Sequence, residues 1–135
     1  MTLNITQTKT ILVCDDEAHI RHIVAAKLRE TGFTVVEARD GVQGAELAKV
    51  HVPALIITDL QMPGGSGIDM AVALKLRPET ASTPVLMLTA RGYILDNAQL
   101  AKTNIVEVIA KPFGVRQLLE RVKHLLDGGA STQAA

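Results

Sequence analysis

Aromatic residues are nearly missing. Of 135 residues, only Phe33, Tyr93 and Phe113 are aromatic, and tryptophan is absent. A surface that stacks successive nucleobases on aromatic rings is thereby excluded. Charge of one sign is missing too. Fourteen basic and 14 acidic residues cancel to a net charge of zero, which removes the bulk positive field of a nucleic-acid face. The one cysteine, Cys14, has no partner for an internal disulfide. Its apolar neighbours point to a small buried hydrophobe rather than a reactive thiol. No apolar run approaches the roughly 20 residues that span a bilayer. Met1 to Thr8 is polar, without the charged-then-apolar layout of a secretory signal. The expectation is a cytoplasmic protein that contacts neither membrane nor, directly, nucleic acid.

What is present is a large apolar fraction, 47%, at a length that suits one domain. The stretch Ala54-Leu55-Ile56-Ile57-Thr58-Asp59 organises the rest. Its apolar run is too short for a helix and long enough for a buried strand. Asp59 follows, then Pro63 and three glycines, so a strand delivers a carboxylate to a loop open to close approach. A carboxylate there is costly unless paired, liganded or used. Capping of the next helix explains it poorly, because Asp59 is too distant from the helix that begins near Gly67.

Four further runs read as strands: Thr10 to Cys14, Phe33 to Ala38, Val85 to Leu88 and Ile105 to Ile109. Between and after them, apolar residues at helical spacing mark five helices. Ile20 to Leu28 is closed by Gly32. Gly41 to Val50, Ile68 to Leu76, Gly92 to Lys102 and Val115 to Leu126 follow. Five strands alternating with five helices predict an α/β doubly wound parallel sheet. The first, third and fourth strands are apolar on both sides and belong at the centre. The second and fifth carry Thr34, Glu37 and Glu107 and belong at the edges. The order 2-1-3-4-5 satisfies this with right-handed crossovers.

All strands of a parallel sheet end on one side. Asp15 and Asp16, Asp59, Thr89 and Ala90, and Lys111 and Pro112 therefore converge on one rim, at the crevice where the winding reverses. Three carboxylates close together need a cation. Oxygen-only ligands suit Mg²⁺ better than zinc. With an ammonium and a hydroxyl alongside, this is an arrangement for phosphoryl transfer. Asp59 would be the nucleophile, with Mg²⁺ and Lys111 offsetting charge and Thr89 bonding a phosphoryl oxygen. The plainer readings are that Asp15 or Asp16 caps the first helix, that Thr89 is an ordinary strand-end hydroxyl and that Lys111 is a solvated lysine.

Asp15-Asp16, Asp59 with Met62-Pro63 and Gly67, Thr89-Ala90 and Lys111-Pro112-Phe113, in this order and spacing, resemble the receiver domain of bacterial two-component response regulators, of the chemotaxis-regulator kind. The resemblance covers residues 9–127. It leaves 1–8 as a flexible N-terminus and 128–135 as a flexible tail with no output domain: a diffusible messenger or a piece of a longer chain. It implies a flavodoxin-like fold and transient phosphorylation of Asp59 by a histidine kinase or a phosphotransfer protein, without turnover of a substrate. It implies Mg²⁺ held by Asp16, Asp59 and the Gln61 carbonyl, with Asp15 acting through water, and a cis Lys111-Pro112 bond. It implies a downstream protein target or homodimer engaged through the fourth helix, fifth strand and fifth helix.

Three positions depart from the family pattern. The aromatic residue usually found three positions before the lysine is Val108, which cannot make the usual exposed-to-buried rotamer change. Thr103-Asn104 stands where Gly-Ala is common. Gln61 and Arg91, each two residues past a site residue, are long enough to shield the phosphoryl group, and slow self-hydrolysis is expected. A phosphatase of the haloacid-dehalogenase kind would want its nucleophile after the first strand in an Asp-x-Asp pattern, which Asp15-Asp16-Glu17 lacks. Gly64-Gly65-Ser66-Gly67 lacks the ending of a P-loop. A docking module that is never phosphorylated would lack the acceptor or the lysine; both are here, and Val108 is the departure that keeps that reading open.

Overall fold

The computed structural model describes residues 8–90 and 93–127. Thr10–Cys14 (β1), Thr34–Ala38 (β2), Leu55–Asp59 (β3), Val85–Thr89 (β4) and Ile105–Ala110 (β5) form one parallel sheet in the order β2-β1-β3-β4-β5. This is the expected order, and burial explains it. β3 and β4 are buried at every position, whereas β2 and β5 carry exposed and half-buried residues, as edge strands do.

The helices are Ala18–Glu30 (α1), Gly41–His51 (α2), Gly67–Lys75 (α3), Asn97–Leu100 (α4) and Val115–Leu126 (α5). Successive strand residues point to opposite faces, so the sheet has two cores. Ile11, Val13, Ile57 and Leu88 pack under α1 and α5 against Val24, Leu28, Leu118 and Val122. Leu12, Cys14 and Ile56 pack under α2 and α3 against Ala48, Met70 and Leu74. Burying one such large side chain contributes ~1.5–3 kcal/mol, and these layers hold the strand ends in place.

Local signals set most boundaries. Ser66 and Asp69 form a reciprocal capping box at the start of α3, and the Asp40 carboxylate accepts from the Gln43 N–H at the start of α2. Gly32, at φ 107°, carries the chain away from α1. Strand ends shift by a residue: β2 starts at Thr34 rather than Phe33, and β3 includes Asp59. In β5, Glu107 is a paired strand residue, opposite Leu86. A bulge shifts the register opposite Val85 and Leu86, and Arg121 of α5 donates two bonds, 2.6 and 2.7 Å, to the Glu107 carboxylate.

Two expectations are corrected. The helix expected over 92–102 is a single turn among the described residues, and Gly92 lies outside them. The Asp96 carboxylate accepts from the Ala98 N–H and starts α4 only there. None of its residues is buried, so α4 lacks the packed face from which helices draw their stability. The acid pair does not supply the first residue of α1's cap either. Glu17 occupies that position without a side-chain bond, while Asp15 Oδ1 accepts the Glu17 N–H at 2.9 Å. Residues 1–7 and the 128–135 tail lie outside the described residues. No described helix is long and apolar enough to cross a membrane.

Candidate functional site

The rim is built by the backbone ladder running past the strand ends. The Asp15 N–H donates to Ala38 O at 3.0 Å, and the Lys111 N–H donates to Thr89 O at 2.6 Å. Asp59, the last residue of β3, pairs with Leu88. Side chains from three segments far apart in sequence thus meet. The Lys111 ammonium lies 3.0 Å from Asp59 Oδ1, 3.2 Å from Glu17 Oε1 and 3.4 Å from Asp15 Oδ2. Asp15, Asp16 and Asp59 each offer a carboxylate oxygen, all within 4.8 Å of one another. A crevice of about 390 Å³ opens onto them, lined by Asp16, Glu17, Asp59, Gln61, Ala90 and Lys111. A larger hollow of about 550 Å³ shares Glu17, Ala90 and Lys111 but is otherwise walled by apolar side chains, among them Ile20 and Phe113. The chemistry belongs to the smaller crevice, where the acids are.

Burial, the largest influence, pushes the Asp59 carboxyl above the ordinary range, and the charges of Asp15 and Asp16 push the same way against the pull of Lys111. Asp15 is likewise raised by burial, against the Glu17 N–H and Lys111. Burial alone would lower the Lys111 ammonium. The hydrogen bond to Asp59 and the charges of Asp15 and Asp59 outweigh it and raise Lys111 above the usual lysine range. The Lys111 ammonium contacts three carboxylates and Asp16 adds a fourth beside them, so the site carries surplus negative charge. That surplus, with oxygen as its only donor type, fits a hard divalent cation.

Asp15, Asp16, Asp59, Lys111, Gln61 and Ala90 come together as expected, and the Lys111-Pro112 bond is cis. Asp15 is held by several partners. Besides the contacts above, its carbonyl accepts from Arg21 Nη1 at 2.8 Å. Thr89 is buried, and among the described residues its hydroxyl has no hydrogen bond. Val108 stands apart from the cluster on β5, opposite Met87 and 41% exposed. Arg91 lies outside the described residues. Glu17 was not singled out in the sequence. Its signal was its position directly after the acid pair, which says nothing about the distant Lys111.

The sequence matches the response regulator receiver domain over residues 11–123, and the chain belongs to that family, a receiver of two-component signalling with a flavodoxin-like fold. The phosphate regulon transcriptional regulatory protein PhoB of Pseudomonas aeruginosa is 38% identical over 118 residues, covering 87% of this chain and 52% of PhoB. The DNA-binding dual master transcriptional regulator RpaA of Synechocystis is 39% identical over 116 residues, 86% of this chain and 48% of RpaA. The chain therefore spans about half the length of these curated relatives. Among solved structures, the chemotaxis response regulator CheY4 of Vibrio cholerae superposes with a TM-score of 0.81 at 27% identity, covering 89% of this chain and all of that one. A response regulator receiver domain protein from Clostridium thermocellum gives 0.77 at 29% identity, covering 92% and 98%.

Proposed function

We propose that Asp59 is the phosphoacceptor of this receiver and takes its phosphoryl group from a phosphohistidine of a histidine kinase or phosphotransfer protein. The observation that carries this is the Lys111 ammonium 3.0 Å from Asp59 Oδ1, beside two more carboxylates. The Asp59 oxygen not held by Lys111 attacks phosphorus. A P–O bond forms as the P–N bond breaks, and the imidazole leaves with the electron pair. Lys111 then follows the charge from the carboxylate to a phosphoryl oxygen, and the Thr89 hydroxyl, without a partner among the described residues, donates to another. Asp16, Asp59 and the Gln61 carbonyl, with Asp15 behind them, would hold Mg²⁺. When bound, the ion offsets the negative charge of the phosphoryl oxygens. The protein is spent once per transfer and is not a turnover enzyme.

The readout belongs to the face of α4, β5 and α5, where Val106 and Val108 of β5 are exposed. A protein target, or a second copy of the chain, binds there. Phosphorylation shifts a pre-existing equilibrium by the contacts Thr89 and Lys111 make to the phosphoryl group. With Val108 in the usual aromatic position, the change is carried by backbone and loop rather than by a ring. The transcriptional names attach to proteins about twice this length. For the segment here the partners are proteins, at the net charge of zero noted above.

Incubation with Mg²⁺ and a small acyl phosphate tests the reading by intact mass. The protein gains one phosphoryl group, and Asp59→Asn gains none. Uptake by Asp59→Asn equal to that of the unaltered protein ends the assignment.

A further inference from the structure

We propose that Arg21 is a positioning residue of the acid cluster, pinning the Asp15–Asp16 peptide against β2 and so setting how tightly the cluster takes its cation. The proposal rests on the metal-dependent reading above. Arg21 is on α1, its side chain 14% exposed. Its Nη1 donates to the Asp15 carbonyl at 2.8 Å, and its Nε donates to Glu37 Oε1 at 3.1 Å. Glu37 lies on β2, opposite Val13 of β1. Its other oxygen accepts from Arg29 Nη1 at 3.2 Å, and Arg29 Nη2 donates to Val35 O at 3.0 Å. His22 Nε2 also approaches Glu37 Oε1, at 3.5 Å. Glu37 is therefore an anchored post, and Arg21 is the strut from it to the acid loop.

The bonded carbonyl belongs to the planar peptide that joins Asp15 to Asp16. Holding its oxygen fixes the orientation of that plane, and with it the point from which the Asp16 side chain departs. Asp16 is exposed and has no side-chain hydrogen bond among the described residues, so its place is set by its backbone. Lys111 grips the Asp15 carboxylate from the other side, at 3.4 Å. A rigid fork is what this strut requires: guanidinium offers two directed donors in one plane, and ammonium does not.

Charge and position predict opposite effects for Arg21→Met. Removing a cation near a cluster of acids strengthens Mg²⁺ binding by charge alone. Removing a strut weakens it. The test is calorimetric Mg²⁺ titration of the full chain, beside thermal unfolding without Mg²⁺. Arg21→Met and Arg21→Lys should both lower Mg²⁺ affinity by about tenfold, the scale typical of residues that orient ligands. Arg21→Lys decides alone if Arg21→Met fails to fold. Arg29→Met removes a partner of the same Glu37 without touching Asp15. It should lower the unfolding temperature and leave Mg²⁺ affinity within about twofold of the unaltered protein. Affinity unchanged or tightened in both Arg21 variants overturns the proposal, as does an equal loss in Arg29→Met. If the unaltered protein takes up Mg²⁺ and the Arg21 variants bind it equally well, the positioning role alone falls. If the unaltered protein takes up none, the metal-dependent reading falls and this inference with it.

Discussion

The Asp59 carbonyl oxygen lies where Gly67 has no side chain. A Cβ built on Gly67 would stand 2.5 Å from that oxygen and 3.1 Å from Met87 Sδ, while the Gly67 N–H donates to Leu60 O at 2.7 Å. The loop that follows Asp59 thus closes directly onto the strand that presents it. The Asp59 backbone is paired in the sheet, and the buried Met87 side chain would have to shift as well. Gly67→Ala is expected to cost ~1–3 kcal/mol in denaturant unfolding, as an overpacked core site does. A loss under ~0.5 kcal/mol would show that the loop accommodates a methyl.

Lys111→Met should separate binding from chemistry. Two like charges about 4 Å apart repel by ~1 kcal/mol even in water. Deleting the ammonium should therefore tighten Mg²⁺ binding by about fivefold or more. Phosphoryl transfer to Asp59 should slow by ~100-fold, the scale of losing one positioned charge-stabilising donor. Single-turnover phosphorylation at saturating Mg²⁺ measures this. A rate within about fivefold of the unaltered protein would remove Lys111 from the transfer step.

Thr89→Val tests the idle hydroxyl. It keeps the shape of a buried side chain whose oxygen has no partner among the described residues. Stability of the unphosphorylated protein should stay level or rise by up to ~1 kcal/mol. Asp59 should still be phosphorylated, and phosphorylation should no longer alter partner or self-association. A stability loss above ~1 kcal/mol would mean that the hydroxyl is already bonded.

Cys14 gives a pH signature. Burial, its largest influence, pushes the thiol up to about 12 from an ordinary 9.0. Between those values the unfolded chain loses the proton that the folded chain keeps, so the folded state binds more protons. Stability then falls as pH rises from about 9 toward about 12, by up to ~1.4 kcal/mol per pH unit from this group. Unfolding free energies between pH 8 and pH 11, on the order of the thiol's range, should fall less steeply in Cys14→Ala. Parallel slopes for the two proteins would show that the thiol ionises alike in both states.

The strands and their order were legible because they depend on short-range pattern. Runs such as Leu55 to Ile57 and Val85 to Leu88 admit only a buried strand between helices, and parallel winding sends every strand end to one rim. Asp15, Asp16, Asp59 and Lys111 followed from that geometry alone. The fourth helix was misjudged because Ile94, Leu95, Ala98 and Ala101 have helical spacing, while none of the α4 residues gains a buried face. Spacing records which residues would share a side, not whether anything covers it.

By itself, the sequence decided the layer architecture, the strand order and the set of chemical groups at the rim. These follow from hydrophobic period and chain direction, which each segment carries locally. Only the tertiary structure decided which groups touch: Glu17 on Lys111, Arg21 between Asp15 and Glu37, and the Asp59 carbonyl against Gly67. Those contacts join residues whose distance depends on register, helix placement and rotamer together, and no single segment encodes that sum.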